Sequence, residues 1–236
     1  MKDLEVDIKY GSWNFGGKIP KSFEDHVKKS VPFYDNGHQI IKSLSNFFMY
    51  KNALSYDLGC STSNLNIMLS KHLKGKKVKF IGIDEEKKMI ILSKKKIKKN
   101  KIKNIELIHS DLTRIKFQKS NLIISYYTLQ FLTPSERPKL LKKIYKSLHT
   151  RGAFILFEKI RGNDERFQDI LNSLYYDFKE SNGISPKNIL NKTKAIRGVL
   201  EPYSDTANIK ILTKCGFRNI QTIFQYLNFK GYLCIK

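Results

Sequence analysis

Leu54-Ser55-Tyr56-Asp57-Leu58-Gly59-Cys60-Ser61 decides the fold of this chain. An extended run ends on an acid, passes through a turn of small residues, and enters a helix-patterned stretch. That is the strand, turn, helix arrangement in which a ligand can approach backbone N–H groups closely. Gly59 is the one residue of the turn without a side chain, and Ser61 stands where such loops usually carry a second glycine. By itself the turn would serve equally well as a structural β–α connection.

Working outward, short apolar runs alternate with longer helix-patterned stretches from residue 38 onward, the signature of βαβ units. The runs predict strands at 54–58, 78–83, 104–109, 120–126 and 152–158, with helices near 62–73, 86–99 and 134–148. Thr133 is placed to cap the last of these helices, with Pro134 at its first position. His149-Thr150-Arg151-Gly152 then turns the chain into the fifth strand. Helices at 164–180 and 186–197 flank the Asn182-Gly183-Ile184-Ser185-Pro186 breaker. A helix at 205–214 and two closing strands, 219–226 and 229–235, complete the pattern; the short gap between the strands predicts an antiparallel pair. The expectation is one domain over 1–236, with a helical lid over 1–50 and a helical insertion over 160–204. Its fold class is α/β: a mostly parallel seven-stranded sheet with an antiparallel last strand and helices on both faces.

Composition bounds the function. Forty-four Lys and Arg against 21 Asp and Glu give a formal charge of +23, a field that concentrates anionic ligands. The densest run, Lys94 to Lys103, lacks interleaved aromatics and reads as a solvated helix end and turn, so direct nucleic-acid binding is not expected. Cys60, Cys215 and Cys234 are too few for a disulfide framework, the five histidines are dispersed, and no metal is expected. No stretch reaches the ~18 apolar residues of a membrane span, so a cytoplasmic protein is expected.

Two further acids sharpen the first motif. Asp84 closes the strand Phe80-Ile81-Gly82-Ile83, at the distance downstream where an acid accepts ribose hydroxyls. Asp111, followed by Leu112, closes the next strand, where a carboxylate can accept from an adenine amino group. Either acid alone would pass for a helix cap. Together with Asp57 and Gly59, they fall in order at the edge of a parallel sheet where ligands sit, the pattern of a Rossmann-like class I methyltransferase fold that binds S-adenosyl-L-methionine.

Val31-Pro32-Phe33-Tyr34, Tyr56-Asp57-Leu58-Gly59-Cys60-Ser61, Tyr127-Thr128-Leu129-Gln130-Phe131-Leu132-Thr133-Pro134-Ser135-Glu136-Arg137, Phe157-Glu158-Lys159 and Tyr176-Asp177-Phe178-Lys179-Glu180-Ser181-Asn182-Gly183 resemble the carboxy-S-adenosylmethionine synthase family. The resemblance runs from about residue 20 to the C-terminus. It implies the class I methyltransferase fold, a homodimer, and a reaction in which prephenate places a carboxylate on the methyl carbon of S-adenosylmethionine. The product of that reaction is a carboxymethyl donor for wobble uridine modification in tRNA. Tyr34, Gly59, Cys60, Ser61, Asp84 and Asp111 fall on the family's cofactor-contacting positions.

Two positions depart from the family. Tyr126 replaces an Asn near the sulfonium, and Thr193 stands where an Arg after Lys192 would grip the added carboxylate. A buried carboxylate without its cation is costly, whereas methyl transfer needs only in-line placement. The sequence therefore points first to an S-adenosylmethionine-dependent methyltransferase acting on a small acceptor, for which an anionic group is in keeping. Carboxy-S-adenosylmethionine synthesis, with the clamp rebuilt from Lys194 or Arg197, is the alternative. A non-catalytic cofactor- or RNA-binding module is the third reading. Tyr126 could orient the nucleophile, while Tyr127 reads as pocket wall. Glu158 is either a general base or a partner of Lys159 or Arg161. Arg161, Lys194, Arg197 and Tyr203 are the candidate acceptor-site residues.

Overall fold

The computed structural model describes residues 11, 15–16 and 19–236; the rest of the expected 1–50 lid lies outside the described residues. A seven-stranded sheet runs β3-β2-β1-β4-β5-β7-β6. The strands are β1 Leu54–Leu58, β2 Lys79–Asp84, β3 Ile105–His109, β4 Ser120–Tyr126, β5 Leu148–Lys159, β6 Asn219–Tyr226 and β7 Phe229–Ile235. The first five pair in parallel, and β7 is antiparallel to both β5 and β6. Strand order reverses between β1 and β4, so the ligand crevice of the doubly wound sheet opens where the Asp57 to Ser61 turn leaves β1.

The helices are α1 Ile19–Ser30, α2 Tyr34–Phe48, α3 Asn64–His72, α4 Lys87–Lys99, α5 Arg137–Ser147, α6 Glu165–Ser181, α7 Pro186–Ala195 and α8 Asp205–Lys214. Side-chain oxygens of Asp164, Ser185 and Ser204 accept from the first turns of α6, α7 and α8, satisfying donors that a helix start leaves open. The core has two layers. Ile41, Leu69, Leu122, Ile124, Ile155 and Phe157 pack on the α2/α3 face, and Leu58, Ile83, Ile123, Leu140, Phe154 and Leu156 on the α5/α8 face. Alternation along a strand thus assigns each residue of β4 and β5 to one layer.

Three expected boundaries move. α3 starts at Asn64 rather than 62 because Ser61 and Ser63 are left-handed, at φ 51° and 58°, which a helix start cannot contain. α5 starts at Arg137 rather than 134. Thr133 does not cap it: the Thr133 hydroxyl and backbone N–H both donate to the Glu136 carboxylate, at 2.7 and 3.2 Å, and hold residues 133–136 as a separate turn. β5 reaches back to Leu148, which pairs with Ser120 of β4 before a register shift, while Arg151, left-handed at φ 64°, donates its N–H to the Lys236 carbonyl. The Lys94 to Lys103 run is exposed except at Lys96, which pairs with Glu24 of α1 and donates to Asn64 at 3.0 Å.

α2 lies against β4 and β5, and its close approach depends on Gly37. The Tyr126 hydroxyl donates to the Tyr34 carbonyl at 2.6 Å, and a Cβ on Gly37 would come within 2.1 Å of that oxygen. Gly37→Ala should therefore destabilise the protein by about 1–3 kcal/mol through overpacking. Adding Tyr126→Asn should restore most of the loss. Thermal unfolding of the two variants checks this; equal melting points for Gly37→Ala and the parent would refute it.

Candidate functional site

Gly59 begins the candidate cofactor cradle. Its φ of +73° is left-handed, and a Cβ there would meet the Thr128 side chain at 2.3 Å, so only glycine admits both the turn and its neighbour. Gly59 and Cys60 N–H groups donate to the Ile83 carbonyl, at 2.8 and 2.9 Å. The Ser61 N–H donates to Asp84 at 2.8 Å, and the other Asp84 oxygen accepts from Glu86 N–H at 2.9 Å. The first loop is thereby fastened to the acid that closes β2.

Burial pushes Asp84 up to about 6 against the pull of those two N–H groups. Asp57, also buried and facing the Asp84 charge, is pushed up to about 7, and Asn66 donates to it at 2.8 Å. A cationic ligand above the loop would favour the ionised form of both carboxyls. Asp111 accepts from Thr113 N–H and hydroxyl at 2.7 and 2.9 Å through one oxygen, so it caps a short turn while still lining the site. The Cys60 thiol is pushed up by burial and stays neutral.

These residues line one cavity of about 950 Å³, together with Leu112, Tyr34, Tyr126 and Tyr127. That volume lies at the upper end of the roughly 300–1,000 Å³ typical of small-molecule sites. Above β4, the rings of Tyr34, His38 and Tyr126 meet at centroid distances of 4.7–5.0 Å. Burial lowers His38 to about 4, which keeps the imidazole neutral. It raises the Tyr34 and Tyr126 phenols. With its hydroxyl bonded to the Tyr34 carbonyl, Tyr126 contributes its ring to the cavity wall.

The far wall is cationic. Lys159 from β5 and Lys179 from α6 lie 4.4 and 4.0 Å from the centroid of Tyr175, whose hydroxyl donates to the Ser30 carbonyl of α1 at 2.7 Å. Lys192 of α7 meets His26 of α1, Nζ to Nε2, at 2.6 Å. Burial, reinforced by the lysines' mutual repulsion, lowers Lys179 to about 6 and Lys192 to about 7. Lys159 falls to about 8, through burial and the Arg161 charge. Among the described residues, no carboxylate lies within ion-pair distance of Lys159 or Lys179.

The sequence candidates divide. Arg161 and Arg197 line the cavity, Arg161 with its Nε donating to the Pro202 carbonyl at 3.0 Å. Lys194 and Tyr203 do not line it; Tyr203 lies under the Arg137 guanidinium, 4.0 Å from the ring centroid. Thr193 lines it, but its hydroxyl donates to the Ile189 carbonyl at 2.8 Å. Glu158 projects into the α5/α8 layer, where it is 1 % exposed and not part of the cavity. Burial raises it to about 8, while Arg137 and the Gln130 and Leu129 N–H groups pull it back. The cation whose charge acts on it is Arg137, not Lys159 or Arg161, but the two form no ion pair, and among the described residues neither Glu158 carboxylate oxygen has a hydrogen-bond partner. The next residue, Lys159, points to the opposite face and into the site. Lys159, Lys179, Lys192 and His26 are the functional candidates that sequence reasoning did not single out.

Among the described residues, no helix is long and apolar enough to cross a membrane, and no group of three or more His, Cys, Asp or Glu could hold a metal ion. Residues 56–152 match a family described as a methyltransferase domain. The chain is similar to a SAM-dependent methyltransferase from Aquifex aeolicus, with a TM-score of 0.61 at 18 % identity over 92 % of this chain and 97 % of that one. It is also similar to human N-acetylserotonin methyltransferase in complex with SAM, with a TM-score of 0.61 at 15 % identity over 90 % and 55 %. At these identities the likeness carries the fold alone. Carboxy-S-adenosyl-L-methionine synthase of Staphylococcus epidermidis is 37 % identical over 225 residues, 95 % of this chain and 97 % of that protein. The synthase of Sulfurimonas denitrificans is 36 % identical over 224 residues, 95 % and 94 %. With the cradle at the switch point of its sheet, this chain is an S-adenosylmethionine-dependent transferase and belongs to the carboxy-S-adenosyl-L-methionine synthase family.

Proposed function

We propose that the protein forms carboxy-S-adenosylmethionine from S-adenosylmethionine and prephenate. The observation that carries this reading is the cationic wall of Lys159, Lys179 and Lys192 in the same cavity as the cofactor cradle. Lysines that repel one another at a wall where Lys179 is buried and Lys159 and Lys192 are half-buried are costly in the free protein. A ligand with two carboxylates offsets that cost, and prephenate has two. S-adenosylmethionine supplies the sulfonium methyl carbon on which the new C–C bond forms. Prephenate loses one carboxyl group and its ring hydroxyl and becomes phenylpyruvate. The methyl proton and the departing hydroxide leave together as water, so the balance needs no further reactant.

The chain's residues serve this reaction by position and charge. Asp57 and Asp84 favour the cationic substrate at the sheet edge, the lysines favour the anionic one, and the Tyr34, Tyr126 and Tyr127 rings wall the space from water. Water exclusion strengthens each of these interactions. No carboxylate base is required, which accords with Glu158 facing the other layer. The product would serve as the carboxymethyl donor for tRNA wobble uridine modification.

Thr193 favours a second reading, methyl transfer to a small anionic acceptor held by the same lysines. Mass spectrometry of an incubation with S-adenosylmethionine and prephenate separates the two. Carboxy-S-adenosylmethionine with stoichiometric phenylpyruvate is expected. S-adenosylhomocysteine with a methylated acceptor, and no carboxylated product, would overturn the first reading.

A further inference from the structure

We infer that the end of the sheet opposite the cofactor cradle is a docking face for single-stranded RNA. The inference stands apart from the proposed reaction, since it uses none of the residues that line the cavity.

A parallel sheet gathers the segments that enter its strands at one end and those that leave them at the other, and β1, β2 and β3 are adjacent and parallel. The segments entering these three strands, residues 49–53, 73–78 and 100–104, hold Lys51, Lys74, Lys76, Lys77, Lys101 and Lys103 and no acid. All six lysines are exposed, and among the described residues none forms an ion pair with a carboxylate. Glu106, the second residue of β3, is engaged by Lys79 at 2.6 Å. At the ligand end, residues 84–86 and 110–114 instead carry Asp84, Glu85, Glu86 and Asp111 against Arg114 alone. A general excess of lysine would load both ends alike.

Cations beside a helix C-terminus complement its dipole, and α2, α3 and α4 all end at this face. That accounts for charge but not for aromatic rings. Phe47, in the last turn of α2, is 78 % exposed, and Tyr50, in the loop before β1, is 60 % exposed. Tyr50 is held there by the buried Asn121, which donates to its hydroxyl at 2.6 Å and accepts from the Leu54 N–H at 3.1 Å. With Lys51, Lys76 and Lys77 it lines an open hollow of about 400 Å³ beside Gly75, where a Cβ would meet nothing within 4 Å. A fixed, exposed ring among lysines suits an unpaired base and its flanking phosphates: the ring stacks, and the lysines neutralise. A duplex, whose bases are already stacked on one another, gains only the second. The Lys94 to Lys103 run lacks such rings along the chain, but the fold brings its end, Lys101 and Lys103, into line with loops that have them.

Fluorescence anisotropy of the full chain with a labelled oligouridine of about 20 nucleotides, longer than one such site, tests the assignment. Affinity should fall with salt at a log–log slope of about −3 or steeper, since each phosphate contact on a single strand contributes about 0.7. Lys51→Glu, Lys74→Glu and Lys77→Glu together should weaken binding by about 10-fold or more and flatten the slope by about 2. Their S-adenosylmethionine affinity should match the parent's, which shows that the variant folds. The same reversal at Lys139, Lys187 and Lys210, exposed on α5, α7 and α8, should leave the slope unchanged. Phe47→Ala should cost about 5-fold or more at constant slope, as for one lost stack. Tyr50→Phe should keep the affinity that Tyr50→Leu loses; if Tyr50→Leu also loses S-adenosylmethionine, Phe47→Ala decides. RNA binding that survives the loop reversal, that the helix reversal weakens equally, or that ignores the loss of both rings overturns the assignment. So does a duplex bound as tightly as the single strand, or binding of phosphatidylserine vesicles without binding of RNA.

Discussion

Lys179→Met is expected to raise the KM for prephenate by about 30-fold or more, the cost of removing one partner from a buried charge pair, while S-adenosylmethionine affinity is retained. Lys179 is 5 % exposed, packs on Tyr175, and faces Lys159 and Lys192 rather than a carboxylate. In the free protein burial lowers it to about 6, so at pH 7.5 it is largely neutral. An incoming dianion raises it, and binding therefore takes up protons. A group whose bound pKa exceeds its free value contributes fully below the free value and is lost as pH rises through the bound one. Prephenate should accordingly bind more weakly with each step above pH 6. Proton uptake, measured calorimetrically in buffers of different ionisation enthalpy, should shrink in Lys179→Met.

The same residue makes an opposite prediction for stability. A lysine that is neutral when folded but charged when unfolded leaves the unfolded state holding more protons between pH 6 and its ordinary value near 10.5, so stability rises with pH across that window. Lys179→Met removes that penalty and should melt higher than the parent below pH 8. An unchanged prephenate KM, or a lower melting point, would count against a ligand-binding Lys179.

Gly59→Ala is expected to lower S-adenosylmethionine affinity by about 100-fold or more, since a left-handed non-glycine residue costs ~1–2 kcal/mol and the Thr128 contact adds steric overlap. A Cβ 2.3 Å from the Thr128 hydroxyl forces the loop away from β4. The displacement also drags Ser61 N–H from Asp84. Thr128→Ala should recover part of the loss but not all, because it relieves the overlap and not the backbone conformation. Isothermal titration of the single and double variants gives the comparison, and a full recovery would show that the left-handed turn carries no cost.

The cradle was legible because its parts are local. A strand ending on an acid, a small-residue turn and a helix occupy a dozen residues around Gly59, and Asp84 and Asp111 repeat the logic at the next two strand ends. The far wall was not legible, for two physical reasons. Ala153 to Phe157 is buried on both faces, and such a strand reads as a continuous apolar run. Its phase is hidden, so the sequence cannot say which of Glu158 and Lys159 faces the cavity, and it left Glu158 open as a base or as an ion-pair partner, whereas Lys159 lines the cavity. Lys179 and Lys192 belong to a chain of 44 basic residues, most of which meet solvent. The tertiary arrangement in which α6 and α7 bond to α1 leaves Lys179 buried and Lys192 half-buried, and distinguishes them. The start of α5 failed differently: the Thr133 cap signal was present, but the Thr133 hydroxyl and N–H donate to the Glu136 carboxylate three residues on, and the helix starts beyond that turn.

The bonds joining α1 to the insertion carry a kinetic consequence. Tyr175 to Ser30 spans 145 residues and Lys192 to His26 spans 166, and closing loops of that length is entropically late. The strands nearest β1 are close in sequence and can assemble first. A refolding chain should thus regain S-adenosylmethionine affinity before it regains discrimination among anionic ligands, and the chain would pass through a state that holds one substrate with the second chamber still open.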